Sequence, residues 1–558
     1  MISNDEQNLK DKISQVWKSS QERIVKTQAS RGNSGYVDLH KVAIVSDSLA
    51  LINEKIARDL QVASFNKKNH ELYLAVYDPA KPGLDQLIKD LQKQGNFVKV
   101  FLVSKDSLEY AWTFYRFVTT EEEKGRGRVA ISEADVVKLS QAIKSTQQAH
   151  DEIDKVIKVS TSDSLEVILA GALALRASDV HFEVSKIGAK IRYRIDGVLQ
   201  DIDSDINPDS YRLILNRIKL LSSLRLNISG SQDGRFSFAM GDVVIELRVS
   251  IIPSEFGETV VMRVLDPRVI RLDLKDLGMR PDDLEIARKE ILSPHGMILN
   301  TGPTGSGKTT TLYAFLQKVA RPELKVITIE DPIEYHLNDI EQTQVDKNRG
   351  YTFANGLQAM MRQDPDIILV GEIRDSETAQ VAIQAALTGH LVFSTLHTNA
   401  ASGVIPRLTN LGAPVSSIGP ALTLVIAQRL VRQLCPKCKI HLNQDAKTKE
   451  KLENFLSTLP ERVDRARFSS VDLYKAKDGG CLECNNTGYL GRVGIFELLQ
   501  VGEDIEGLIE KKAGEAEINQ FARKQGMVTL QQDGIIKVLS GITSFEEVEK
   551  ITGALEWW

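Results

Sequence analysis

One octapeptide constrains this chain more than anything else in it. GPTGSGKT, Gly302–Thr309, follows the short apolar run Met297–Asn300 and precedes the helix-compatible segment Thr310–Val319. It satisfies G-x-x-x-x-G-K-[ST] at every required position. Glycines at this spacing let backbone N–H groups turn inward around phosphate oxygens at a helix N-terminus. Gly302, Pro303, Thr304, Gly305, Ser306 and Gly307 are therefore candidates for a phosphate cradle, with Thr310 beside them. Lys308 would contact the β- and γ-phosphates, and the Thr309 hydroxyl would sit on Mg²⁺.

Such a loop needs carboxylates near it. DPDIILVGE (Asp364–Glu372) is an apolar strand ending in an acid. An acid at a buried strand tip beside a phosphate loop can hold magnesium or polarise the attacking water. The strand end itself holds Gly371, with Glu372 following, so one carboxylate is left where two jobs exist. TIEDPIEY (Thr328–Tyr335) supplies further candidates in Glu330, Asp331 and Glu334. TGHLVFSTLHTN (Thr388–Asn399) then places His390 and His397 on either side of an apolar strand of the same predicted sheet. These histidines suit phosphate sensing or coupling of the sheet to an interface.

Two further groups stand apart from the loop. CPKC (Cys435, Cys438) and CLEC (Cys481, Cys484) are two CxxC turns, the pattern that completes a tetrahedral Zn²⁺ shell of structural type. Arg235, Arg248 and Arg263 lie on three strand-like segments, QDGRFSF, ELRVS and ETVVMRVLD. Alternation along strands would put their guanidiniums on one face, able to fork onto phosphate oxygens across a cleft.

The remaining chain is divided by composition. At 558 residues, three or four domains are expected. Residues 1–37 are polar, with Leu9, Ile13, Val16, Trp17 and Ile24 near helical spacing, and read as a possible docking helix. Residues 38–118 alternate as a small α/β domain, with strands at Val42–Val45, Leu72–Val76 and Val98–Val103, a helix at Leu84–Gln94 and no catalytic constellation. Residues 119–162 read as a linker, 163–270 as a second compact domain, 271–294 as a connector and 295–558 as the domain of the phosphate loop. No apolar run approaches the length of a membrane span, and the polar start MISNDEQNLKDK has no secretory signal pattern. A cytoplasmic setting is expected. The net charge of −5 and 6% aromatic residues argue against a nucleic-acid translocase.

Taken together the motifs resemble the secretion ATPases of type II secretion and type IV pilus systems. The resemblance runs from about Ser164 to Thr552 through SDVHFE, RYRIDG, QDGR, GPTGSGKTTTLY, TIEDPIEY, DIILVGEIRDSETA, TGHLVFSTLHTN, QRLVRQLCPKC and GYLGRVGIFEL. It implies a multidomain α/β chain: a small N-terminal α/β domain, a PAS-like middle domain and a RecA-like P-loop core with a tetracysteine zinc module. It implies a homo-hexamer that hydrolyses ATP with Mg²⁺ and works at the inner face of the cytoplasmic membrane, through an inner-membrane platform protein and a cytoplasmic ring protein. By the same resemblance Glu330, Asp331 and Glu334 belong to an acidic box, Glu372 is the Walker B acid, and His390 and His397 mark a histidine box. Arg235, Arg248 and Arg263 are the arginines that reach phosphate. The general base is Glu372 or Glu330; Glu372 is favoured because it ends the strand nearest the loop. The tetracysteine loop and the extra N-terminal domain resemble an assembly or export motor, with type IV pilus assembly preferred and type II secretion as the alternative.

Overall fold

A computed structural model describes residues 20–31, 35–42, 44–68, 70–117, 133–157, 161–270, 273–468 and 472–556. The expected docking residues Leu9–Trp17 and residues 119–132 of the expected linker lie outside these. The chain divides into two units, Met1–Asp266 and Pro267–Trp558.

The first unit begins with a helix over 20–31 and a four-stranded sheet of β1 (Gly35–Tyr36), β2 (Val62–Lys68), β3 (Glu71–Val76) and β4 (Phe97–Leu102), in the order β1-β4-β3-β2. β3 and β4 run parallel, which requires the crossover helix Leu84–Lys93 between them. The strand expected at Val42–Val45 is replaced by a loop into the short helix Ser46–Leu49, and β2 takes its place beside β3. Ile24 is 56% exposed, so it seals nothing. The 20–31 helix is tied instead through Glu22, which accepts hydrogen bonds from Tyr36, Ser104 and Ser107.

A second sheet follows: β5 (Asp179–Val184), β6 (Ala189–Ile195), β7 (Val198–Ile206), β8 (Gln232–Met240), β9 (Val243–Ser254) and β10 (Gly257–Leu265), antiparallel in the order β7-β6-β5-β10-β9-β8. The later part of the expected linker is ordered and packed. Residues Glu133–Ala142 and Thr146–Ile157 are helices, and Val136, Ala149, Ile153 and Ile157 enter the core under this sheet. Their apolar stripe is one residue wide among charged neighbours, so composition hides it, yet the i, i+4 spacing suffices to seat it on the helix Thr161–Ala174.

The second unit is built on seven strands: β11 (Gly296–Thr301), β12 (Val326–Glu330), β13 (Glu341–Gln344), β14 (Ile367–Val370), β15 (Leu391–Leu396), β16 (Leu422–Leu434) and β19 (Tyr489–Gln500). Their order is β13-β12-β14-β15-β11-β16-β19, parallel up to β16 and antiparallel between β16 and β19. β11, β12, β14 and β15 are wholly buried, as continuous apolar runs covered on both faces must be. The expected connector 271–294 is part of this unit. Leu274, Leu277, Leu284, Ala287 and Ile291 pack with the helix Lys308–Val319 against one sheet face. A two-stranded ribbon of β17 (Ile440–Leu442) and β18 (Leu473–Lys475) branches off between the cysteine pairs.

A buried charge cluster closes the C-terminal side of this unit. Asp533, fully buried, accepts from Arg280 Nη1 at 2.9 Å, Lys537 Nζ at 2.6 Å and the Phe496 N–H at 2.8 Å. Burial pushes its carboxyl up, but Lys537 and Arg280 more than offset this and hold it below the ordinary range. Asp533→Ala takes the carboxylate partner from buried Lys537 and one of three from Arg280, which keeps Asp282 and Asp283, and is expected to cost roughly 3–5 kcal/mol. Denaturant titration should show a lower midpoint for the second unit; an unchanged midpoint would mean the cluster contributes nothing.

Candidate active site and cysteine centre

The phosphate loop leaves the C-terminal end of β11 and enters the helix Lys308–Val319. That is the end of a parallel sheet where ligands bind in open α/β folds. Gly302 and Gly307 have φ of 155° and 88°, and a Cβ would lie 2.6 Å from the Gln428 carbonyl oxygen or 2.7 Å from Gln428 Nε2. Glycine is thus required twice over, by backbone conformation and by contact. Pro303, Thr304 and Gly305 form the exposed crest, while Thr309 and Thr310 are half-buried at the helix start.

Lys308 is 9% exposed and donates from Nζ to the carbonyls of Gly302 (2.7 Å) and Pro303 (3.0 Å). Burial pushes its ammonium down to about 8, the Arg429 charge adds to this, and Glu372 opposes it. Ser306 Oγ is buried without a hydrogen-bond partner. A buried ammonium and an orphaned hydroxyl under an open crest fit an anionic ligand with several oxygens, as a triphosphate would supply.

The structure separates the acids that the motifs group together. Glu330, 4% exposed at the end of β12, accepts from the Tyr313 hydroxyl, from Thr328 Oγ1 at 2.7 Å and from Gln342 Nε2 at 3.2 Å. Both its oxygens are engaged, and burial together with its charge pushes the Tyr313 phenol far up. Asp331 turns outward to Lys347 at 3.5 Å, and Glu334 is half-buried beyond it. Glu372 follows β14 and pairs with Arg374 at 2.6 Å and with His397 Nε2 at 3.6 Å. It is Glu372 whose charge bears on Lys308.

The two histidines part company as well. His397 follows the C-terminal end of β15, on the side of the phosphate loop. His390 precedes β15, at the opposite end of the strands, where its backbone carbonyl accepts from Gly296 N and its Nδ1 lies 2.9 Å from the Ala385 carbonyl. Six residues of strand put about 20 Å between the two. The structure brings His397 to the loop within this chain; it does not bring His390.

Arg235, Arg248 and Arg263 occupy directly paired positions on β8, β9 and β10. Arg263 meets Asp179 at 3.3 Å, and Arg248 Nε is 3.7 Å from Glu246. Alternation predicted a shared face; register makes it one row.

The four cysteine sulfurs lie within 4.8 Å of one another, with three separations of 3.8 Å. Tetrahedral zinc with bonds of about 2.3 Å requires sulfur separations of about 3.8 Å. Cys481 N and Gly488 N donate to Cys484 Sγ at 3.2 Å, as thiolate ligands favour. Backbone donors led by the Cys484 amide hold the Cys481 thiol at about 7, whereas burial and neighbouring sulfurs push Cys438 up to about 12. The donor set fits a divalent, thiophilic ion. It closes the end of the β16–β19 pair, with 42 residues between the CxxC turns.

The family model for Type II/IV secretion system proteins matches residues 149–550. The chain belongs to this family. It is 45% identical over 389 residues to the Type II secretion system ATPase E of Vibrio cholerae, covering 70% of this chain and 74% of that protein. It is 35% identical over 548 residues to the Type IV pilus assembly ATPase PilB of Thermus thermophilus, covering 97% of this chain and 58% of that one. The crystal structure of the ATPase DotB of Legionella pneumophila matches with a TM-score of 0.51 at 23% identity, over 70% of this chain and 95% of that one, which shows a shared fold.

In this family member three polar residues around the loop escape motif reading: Tyr313, Gln428 and Arg429. Tyr313 lies on the helix face toward β12, and only the sheet order reveals its contact with Glu330. Gln428 and Arg429 fall within QRLVRQLCPKC, a segment that carries the resemblance without any assigned chemistry.

Proposed function

We propose that this chain is a Mg²⁺-dependent ATPase that assembles as a homo-hexamer and drives type IV pilus assembly. Work would pass to pilin-like subunits through an inner-membrane platform protein and a cytoplasmic ring protein at the cytoplasmic membrane. The observation that carries the reading is the convergence at one sheet end of the phosphate loop, buried Lys308, orphaned Ser306 and the Glu372–His397 pair. The relatives' names add the class of reaction: one is an ATPase of type II secretion, the other a pilus assembly ATPase. The pilus match spans 97% of this chain against 70% for the secretion match, and this favours pilus assembly. The higher identity, 45% against 35%, favours secretion as the alternative.

In this reading the loop amides and Lys308 bind the β- and γ-phosphates, Lys308 trading its two carbonyl partners for phosphate oxygens. Thr309 would hold magnesium, which supplies positive charge to the phosphate oxygens when bound. Glu372 accepts the proton of the attacking water, and His397 and Arg374 hold that carboxylate in place. Glu330 acts through Tyr313, Thr328 and Gln342 to keep β12 on the loop helix. Zn²⁺ on Cys435, Cys438, Cys481 and Cys484 serves structure. The six-stranded sheet is the PAS-like module. Arg235, Arg248 and Arg263, aligned in one row, are the guanidiniums that would fork onto phosphate oxygens.

Turnover and nucleotide affinity of purified variants test this. Glu372→Gln is expected to keep ATP while hydrolysis falls at least about a hundredfold. Arg248→Ala is expected to keep affinity and lose turnover. If Glu330→Gln gives the bound, non-hydrolysing behaviour and Glu372→Gln loses nucleotide, the two carboxylates exchange roles. Complementation of strains lacking a pilus assembly motor or a secretion motor separates the two machines.

A further inference from the structure

We propose that Arg429 is a positioning residue for hydrolysis, joining the phosphate loop to the turn that carries His397; this rests on the ATPase reading above. Ala427 pairs with Thr301, the last residue before the loop, so the next two residues of β16 run beneath the loop itself. Gln428, 2% exposed, accepts at Oε1 from Asn300 Nδ2 at 2.8 Å and from Thr311 Oγ1 at 2.9 Å. One side-chain amide thus ties the strand before the loop to the helix after it.

Arg429 continues outward from that amide. A Cβ on Gly302 would lie 2.9 Å from Arg429 Nη1, so the guanidinium packs directly on the loop's first glycine. Its Nη1 donates to the Gln428 carbonyl at 2.9 Å, and its Nη2 donates to the Asn399 carbonyl at 3.1 Å and to Asn399 Oδ1 at 3.4 Å. Asn399 is two residues beyond His397, which faces Glu372. The far side of the same turn is held by Glu497, whose Oε1 accepts from Ala401 N at 2.8 Å. Thr301 and Thr398 link strand and turn nearby through their hydroxyls at 2.8 Å.

The loop and the turn belong to different strands, β11 and β15, while hydrolysis requires Lys308 and Glu372 to be fixed relative to each other. Misplacement by about 1 Å can cost about a hundredfold in rate. A planar guanidinium spans two segments with separate nitrogens. A lysine ammonium is a single point on a flexible stem and cannot reproduce that fork.

The experiment measures kcat, KM for ATP and melting temperature of the full chain as Arg429→Gln, Arg429→Lys, His397→Ala and the double variant Arg429→Gln/His397→Ala. Both Arg429 variants are expected to lose about ten- to a hundredfold in kcat, with KM and melting temperature near wild type. The double variant is expected to be no slower than the slower single one, since residues acting as a unit are non-additive. Multiplicative losses in the double variant would overturn the proposal, as would full turnover in Arg429→Lys. A loss confined to KM would make Arg429 a substrate contact, and a fall in melting temperature that accounts for the loss would make it structural; either result overturns it. Wild-type protein without ATP turnover would refute the ATPase reading instead.

Discussion

Lys308→Ala is expected to remove ATP turnover, by about a thousandfold or more in kcat, while leaving both units folded. Charge stabilisation by one cation on a transferring phosphoryl group reaches about 10³–10⁵ where it has been isolated. Lys308 is placed for that role: it is buried at the root of the loop, and its ammonium reaches the carbonyls of Gly302 and Pro303. Burial already presses its proton affinity down to about 8, so an incoming anion that pairs with the ammonium offsets that burial. The fold should survive because truncation removes a charge the interior resists, leaving two carbonyls beside an exposed crest. A phosphate-release assay with a melting curve decides the matter. Normal turnover in the folded variant would remove the phosphate loop from the chemistry.

Loss of the metal proposed for the cysteine cluster should have the second largest effect, this time on stability. Binding at a four-thiolate site is worth about 10–16 kcal/mol in apparent terms, comparable with the whole stability of a typical domain. The site closes the β16–β19 pair. Between its two halves, the helix Ala446–Thr458 and β18 pack through Leu452, Phe455 and Leu473 with Val528 and with Ile535 and Val548 of the C-terminal helices. Chelation, or Cys435→Ser, should therefore release the C-terminal segment to proteolysis and lower the melting temperature of the second unit. Metal analysis should return one zinc per chain. Four thiols titrating freely in a protein of unchanged stability would end the zinc assignment.

How much of this was legible without coordinates depended on whether the signal was local. The loop, β11 and the helix after it share one continuous stretch, and their patterning names the elements and their order. The CxxC turns are legible for the same reason, since each is a four-residue device. The segment over residues 133–157 reads as polar and at best helical, because its apolar stripe is narrow and only a partner surface shows which residues it buries. The segment 273–294 looked like a connector until the sheet face it covers was in view.

The candidate site divides along the same line. Residue types and spacing in the sequence alone marked the phosphate cradle, the acid-bearing strand ends, the arginine strands and the sulfur ligands, because each follows from backbone conformation or ligand chemistry within a few residues. Tertiary structure decided which of those groups meet. Parallel strand order sends Glu372 and His397 to the loop's end of the sheet and leaves His390 at the other. Packing of Tyr313 on β12 occupies Glu330, register lines up the three arginines, and β16 lies beside β11 so that Gln428 and Arg429 come under the loop. Such contacts join residues up to 128 positions apart, as between Asn300 and Gln428. Strand pairing sets them, and no local pattern records which strand becomes whose neighbour.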